Sequence, residues 1–244
     1  MTYLICNSLK KFELVLLLTF GIIFSSFAET WDCGRVPETV FCNLSENGTL
    51  TVYGNGEMKN YDYVDEQIAG NTIRKSTAPW IDDVKKVEIN DGVTSIGAYA
   101  FMHASQLTDI SGMNSVEKVG HAAFWNDKNL QSIYIPNATI IESQAFEQSG
   151  LISAILPNVQ TLGNWAFENA SALNYAELSD NVSLGINVFN RSNITTCKSG
   201  TCIGKCTEGY NFYYGYCLRT RYTLPEADEA TSDDNENSIE WIFE

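Results

Sequence analysis

A solenoid of stacked repeats is the fold class this sequence predicts, and three observations predict it. An Ile-Gly-x-x-Ala-Phe phrase recurs five times, as Ile96-Gly97 to Phe101, Val119-Gly120 to Phe124, Ile141-Glu142 to Phe146, Leu162-Gly163 to Phe167 and Leu184-Gly185 to Phe189. Its phenylalanines are 23, 22, 21 and 22 residues apart, a period that belongs to stacked units rather than to one closed core. A short stretch of period-two alternation precedes most copies, and stretches without the phrase flank the array on both sides.

The chain opens on Lys10 and Lys11, an apolar run from Leu14 to Phe24, and then Ser26-Phe27-Ala28. A basic start, an apolar run too short to span a bilayer comfortably and small residues at the cleavage positions describe a secretory leader covering residues 1–28, cut near Ala28. Cysteine usage agrees with export. Of seven cysteines, Cys6 leaves with the leader and six remain, an even number suited to an oxidising compartment. Cys33 and Cys42 stand together near the mature start and are expected to pair, closing a short loop worth about 2 to 3 kcal/mol. Cys197, Cys202, Cys206 and Cys217 form a second cluster with three possible connectivities.

Residues 29–80 lack the phrase but carry a strand pattern, Gly48-Thr49-Leu50-Thr51-Val52-Tyr53-Gly54, after an Asn47-Gly48 turn signal. A small sheet closed by a disulfide suits the end of a solenoid, which otherwise leaves an apolar face open to water. The repeat region, 81–195, begins its units at Val84, Leu107, Leu130, Leu151 and Leu173. In Ser132-Ile133-Tyr134-Ile135-Pro136 and Ser153-Ala154-Ile155-Leu156-Pro157 the alternation turns Ile133, Ile135, Ala154 and Leu156 inward. Tyr134 and Ile155 then point outward, with Glu88, Ser111 and Glu177 from the other units. Phe101, Phe124, Phe146, Phe167 and Phe189 are expected to stack as a structural spine. The glycines beside them serve a special backbone conformation or a close approach. Residues 196–244 read as a Cys-rich terminal cap, with a short helix near Leu224–Ala230 and a strand near Ser238–Phe243.

The repeated order of strand, Pro, Ile-Gly, Ala-Phe and Leu over Val84 to Ile194 resembles the bacterial BspA-like, or Treponema-type, leucine-rich repeat family. The stretch from Trp31-Asp32-Cys33-Gly34 to Ala78-Pro79-Trp80 is similar to the segment that often precedes such repeats. The resemblance implies a leucine-rich-repeat solenoid of about five 21–23 residue units with short parallel strands, between an N-terminal β cap and a C-terminal cap. It also implies an exported protein used for adhesion or for binding other proteins at a cell surface. The chain departs from the family at Ala104 and Ala170, where Cys is frequent, and at Glu142 in place of Gly.

Several chemistries are excluded by residue type. A formal net charge of -15 disfavours nucleic acid and anionic membranes, which need Lys and Arg. The two histidines, His103 and His121, fall at turns that look exposed, and neither a Gly-x-Ser-x-Gly nor a His-Glu-x-x-His occurs. The four C-terminal cysteines lack paired Cys-x-x-Cys knuckles, and export favours disulfides over zinc. Asp233, Asn235, Asn237 and Glu244 mimic an EF-hand spacing, but Ser238 stands where the loop needs Gly. Seven Asn-x-Ser/Thr sequons are present, in segments where turns favour the same residues.

The expectation is therefore a non-enzymatic, exported recognition module, secreted or held at the surface or in the periplasm, with no cofactor, metal or catalytic set. It binds a protein or glycan of a host or neighbouring cell through Glu88, Asp109, Ser111, Tyr134, Ile155 and Glu177, and the mature chain has no membrane span. The alternatives are an exported hydrolase using outward acids such as Glu88 and Asp109, or a structural envelope protein.

Overall fold

The computed structural model describes residues 29–68 and 70–194, together with the backbone of 196–198, 210–213 and 216–219. The expected leader, Cys202, Cys206, the side chains of Cys197 and Cys217, and the expected C-terminal helix and strand lie outside the described residues.

Strands β1 (Glu29–Asp32), β2 (Val40–Leu44) and β3 (Thr49–Gly54) form an antiparallel meander. The Asn47-Gly48 signal makes the turn: Gly48 is left-handed at φ 84°, and the Ser45 N–H donates to the Thr49 carbonyl. Cys33 and Cys42 are disulfide-bonded, as their spacing implies, with Cα atoms 5.9 Å apart, and both are fully buried. Strand β4 (Gly56–Glu57) follows, and then a separate hairpin of β5 (Tyr63–Ile68) and β6 (Asn71–Ser76).

Each coil of the array contributes two short strands. Coil 1 supplies β7 (Lys86–Ile89) and β8 (Val93–Ile96), coil 2 β9 (Asp109–Ser111) and β10 (Lys118–Val119), and coil 3 β11 (Ser132–Tyr134) and β12 (Ile140–Ile141). Coil 4 supplies β13 (Ser153–Leu156) and β14 (Thr161–Leu162), and coil 5 β15 (Tyr175–Leu178) and β16 (Ser183–Leu184). The second strands build one parallel ladder in the order β16-β14-β12-β10-β8-β4. The first strands build two sheets, β1-β2-β3-β7-β9 and β11-β13-β15-β17, where β17 is Thr196–Lys198. Strands β18 (Tyr210–Tyr213) and β19 (Tyr216–Arg219) pair antiparallel. The N-terminal segment thus does more than abut the array. β3 runs parallel to β7 and β4 parallel to β8, so residues 49–57 form a zeroth coil in the same ladders.

The core is one continuous column because each coil buries the same positions. Val87, Ile110, Ile133, Ala154 and Ala176 line up inside the first strands, and Ile96, Val119, Ile141 and Leu162 inside the second. The phenylalanines form the expected spine. Consecutive rings from Phe101 to Phe189 lie 5.1, 5.2, 5.2 and 5.3 Å apart between centroids and within 10° of parallel. Burial contributes about 1.5 to 3 kcal/mol per ring. Trp80 extends the column at its N-terminal end, 6.0 Å from Phe101, and its indole N–H donates to the Ala100 carbonyl. Trp31 and Tyr61 cover the other side of Trp80.

The backbone around each phenylalanine has a feature that the residue pattern did not announce. The residues two before and two after it are left-handed in all five coils: Tyr99 and His103, Ala122 and Asn126, Gln144 and Gln148, Trp165 and Asn169, Asn187 and Arg191. Such conformations cost a β-carbon-bearing residue about 1 to 3 kcal/mol. Here they turn three N–H groups per coil toward the next one. In coil 1, Tyr99, Phe101 and His103 donate to the carbonyls of His121, Ala123 and Trp125, and the same triplet recurs at each interface to coil 5, at 2.8 to 3.1 Å. The glycines of the phrase admit this packing through close approach. A β-carbon at Gly120 would lie 2.6 Å from the Ala98 nitrogen, and one at Gly163 2.4 Å from the Ser143 nitrogen. At the same place Glu142 keeps its carboxylate on the surface, accepting from the His121 N–H at 2.8 Å and pairing with Lys118.

Candidate functional site

The outward residues of the first strands are placed by register. Glu88 lies beside Ser111, and Lys86 beside Asp109, on β7 and β9. Tyr134, Ile155 and Glu177 form an unbroken row on β11, β13 and β15. Adjacent strands bring such side chains within about 4.8 Å of one another. Tyr134 is 57% exposed, Glu88 and Ser111 are exposed, and Ile155 and Glu177 are half-buried. The predicted row of five is consequently two rows, because β9 and β11 belong to different sheets. The cause lies in coil 2. After Ser111 the chain enters Gly112 at φ 76° and a 3-10 turn, Met113–Ser115, where coils 3 and 4 carry Ile135 and Leu156. Gly112 also packs where a β-carbon would meet the Ile89 carbonyl oxygen at 2.0 Å.

The two rows differ in chemistry. Beside Glu177 an open depression of about 740 Å³ is lined by Pro157, Asn158, Gln160, Ser179, Asp180 and Asn181, and the Tyr175 hydroxyl donates to the Glu177 carboxylate at 3.1 Å. Around Glu88 a second depression, of about 640 Å³, is lined by Lys85, Lys86, Thr49, Thr108 and amide side chains. Glu88 and Asp109, the acids considered for hydrolysis, are not register partners, since each faces a different residue of the neighbouring strand.

His103 and His121 are half-buried, contrary to the exposed turns their sequence positions suggest. The His103 ring nitrogen shares a hydrogen bond of 2.5 Å with the Asn126 amide, and desolvation holds its imidazole below the usual range. The His121 ring meets Tyr99 edge-on at 5.2 Å. Both therefore pack within the turn column and stand apart from the outward rows. No group of three or more His, Cys, Asp or Glu placed to hold a metal occurs among the described residues.

Repeat geometry and sequence now converge. Residues 71–214 match the model of the BspA type leucine rich repeat region, in six copies. The chain belongs to the BspA-type leucine-rich repeat family. A leucine-rich repeat protein from Eubacterium ventriosum shares 23% identity and a TM-score of 0.57 with this BspA-type chain, over 72% of its length and 45% of that protein's. A leucine rich cell surface protein from Faecalibacterium prausnitzii is 19% identical over 77% of this chain and 57% of that one, at a TM-score of 0.40. The T. pallidum leucine rich repeat protein is 19% identical over 70% of this chain and 89% of that one, also at 0.40. This BspA-type chain thus spans less than half the length of the E. ventriosum protein. No curated protein matches the sequence.

Proposed function

We propose that this BspA-type protein is an exported, non-catalytic recognition module that binds a ligand of a host or neighbouring cell across the outward face of its first strands. The observation that carries the reading is the register itself. Tyr134, Ile155 and Glu177 stand side by side, with Glu88, Ser111 and Asp109 on the adjoining sheet, on a scaffold held by an aromatic spine and backbone bonds. Side chains there vary without disturbing the core, the arrangement a binding surface needs. Export is supported by the leader-like residues 1–28 and by the Cys33–Cys42 disulfide, a bond typical of oxidising compartments.

Affinity capture from cell-surface extracts with the mature chain tests this. Tyr134→Ala with Ile155→Thr is expected to lose the captured partner while stability by urea unfolding stays within about 1 kcal/mol of wild type. Retained capture by a folded double variant overturns the assignment of the face.

A further inference from the structure

We infer that the depression around Lys85 and Lys86 is a binding site for a carboxylate-bearing saccharide. The inference takes its location from the strand face proposed above, since Glu88 lines the same depression. Lys85 and Lys86 stand out among the described lysines. Lys59 donates to the Asp32 carbonyl, Lys75 pairs with Glu66 and Asp82, Lys118 with Glu142, and Lys128 donates to the Gln148 carbonyl. Within the described residues, the ammonium groups of Lys85 and Lys86 have no such partner, and no ion pair joins Lys86 to Asp109 beside it in register. On a chain of net charge -15, two adjacent cations left unpaired in one recess form a local exception to the surface.

The rest of the lining is fixed in a way that leaves both donors and acceptors unused. Asn129 spends its amide N–H on the Ser105 carbonyl at 2.7 Å, and Gln106 spends its own on the Asp82 carbonyl, so their side-chain oxygens remain as acceptors. Asn47 accepts from the Thr49 N–H at 3.0 Å through its oxygen, which leaves its NH2 as a donor. The Thr108 hydroxyl bonds the Lys85 carbonyl at 3.2 Å, and the Lys85 stem lies over Gly48. Every lining residue is polar or charged. Peptide partners draw their affinity from buried aromatic and aliphatic anchors, and this recess has no socket for one. A ligand covered in hydroxyls matches the mixture of acceptors and donors, with a carboxylate on the lysines and hydroxyl donors on Glu88, Gln106 and Asn129.

The test uses the mature chain on an array of uronate and sialylated oligosaccharides alongside their methyl esters, which keep every hydroxyl and lose the charge. Binding of at least one acid form is expected, about tenfold tighter than its ester and weakened by salt, as two exposed charge contacts require. Lys85→Ala with Lys86→Ala is expected to abolish the difference, and Lys85→Arg with Lys86→Arg to keep it. Equal binding of acid and ester, binding that survives the double alanine change, absence of binding to every sugar, or tighter binding to an acidic peptide each overturns the inference. Any of these, with Tyr134-dependent capture intact, leaves the wider strand-face reading standing, whereas loss of that capture alone removes only the latter.

Discussion

The carboxyl group of Asp127 sits in the column that Ala104, Ser149 and Ala170 occupy in the other coils, with no exposure to solvent. One oxygen accepts from the Ala104 N–H at 2.7 Å; the other has no partner, and neither has the buried Ser149 hydroxyl. Burial pushes this carboxyl well above the ordinary range. On the adjoining turns, His103 bonds Asn126, Lys128 donates to the Gln148 carbonyl, and Glu147 accepts from Gln144 and Gln148, so each of these groups is engaged elsewhere. A folded-state pKa above the unfolded one means that the protonated group is compatible with the fold at low pH. Stability is then lost as pH rises from the unfolded pKa through the folded one. Asp127→Asn is expected to raise stability at pH 7 by about 1 to 3 kcal/mol and to flatten that fall, as read by urea unfolding between pH 4 and 8. A variant no more stable at neutral pH would contradict this. Nothing in the sequence marked Asp127 as buried, because an Asp three residues after a Phe reads as an ordinary turn residue. Its depth follows from inter-coil packing. The left-handed residues were equally hidden. Asn126, Asn169 and Asn187 are ordinary choices for that conformation, but Tyr99, Ala122 and Trp165 are not, and backbone bonding between coils overrides their preference.

Among the elements, the phenylalanine spine was legible because its period and its neighbours repeat together, and the inward and outward faces of the first strands followed from alternation alone. Phe124→Ala, which opens a gap between two rings each about 5 Å away, is expected to cost about 3 to 5 kcal/mol in denaturant titration, where loss of an isolated exposed side chain costs a few tenths. A loss below about 1 kcal/mol would mean that the stack contributes little. Two elements escaped the sequence reading. Trp80 belongs to the spine although it lies outside the repeated phrase, and the β5–β6 hairpin interrupts the zeroth coil between its strands and that tryptophan. The hairpin is attached through Tyr63, whose ring meets Tyr99 at 5.4 Å, and through the Ser76 N–H, which donates to the Met102 carbonyl at 3.0 Å. Neither contact repeats with the period, so a search for periodic positions passes over them. The break between β9 and β11 escaped for a related reason: Gly112 and Met113 replace one inward aliphatic residue by two, which leaves the Phe spacing almost unchanged.

At the scale of the whole molecule, a net charge of -15 makes the folded chain repel itself, while its ion pairs, such as Arg74 with Asp65 and Lys118 with Glu142, lie at the surface. Surface pairs contribute about 0 to 1 kcal/mol each, so the screened repulsion dominates. The melting temperature at pH 7 is expected to rise between low salt and about 0.3 M NaCl, over which the Debye length falls below about 10 Å. A falling melting temperature would show that the surface pairs outweigh the repulsion. The left-handed pairs around each phenylalanine have a consequence of another kind. Coils 2, 3 and 4 each receive from the coil before the same triplet of backbone donors that they pass to the next. On the phenylalanine side the junctions between units of 21 to 23 residues are therefore alike, and whole units added or removed there between coils 3 and 5 would close with bonds of a kind already in use.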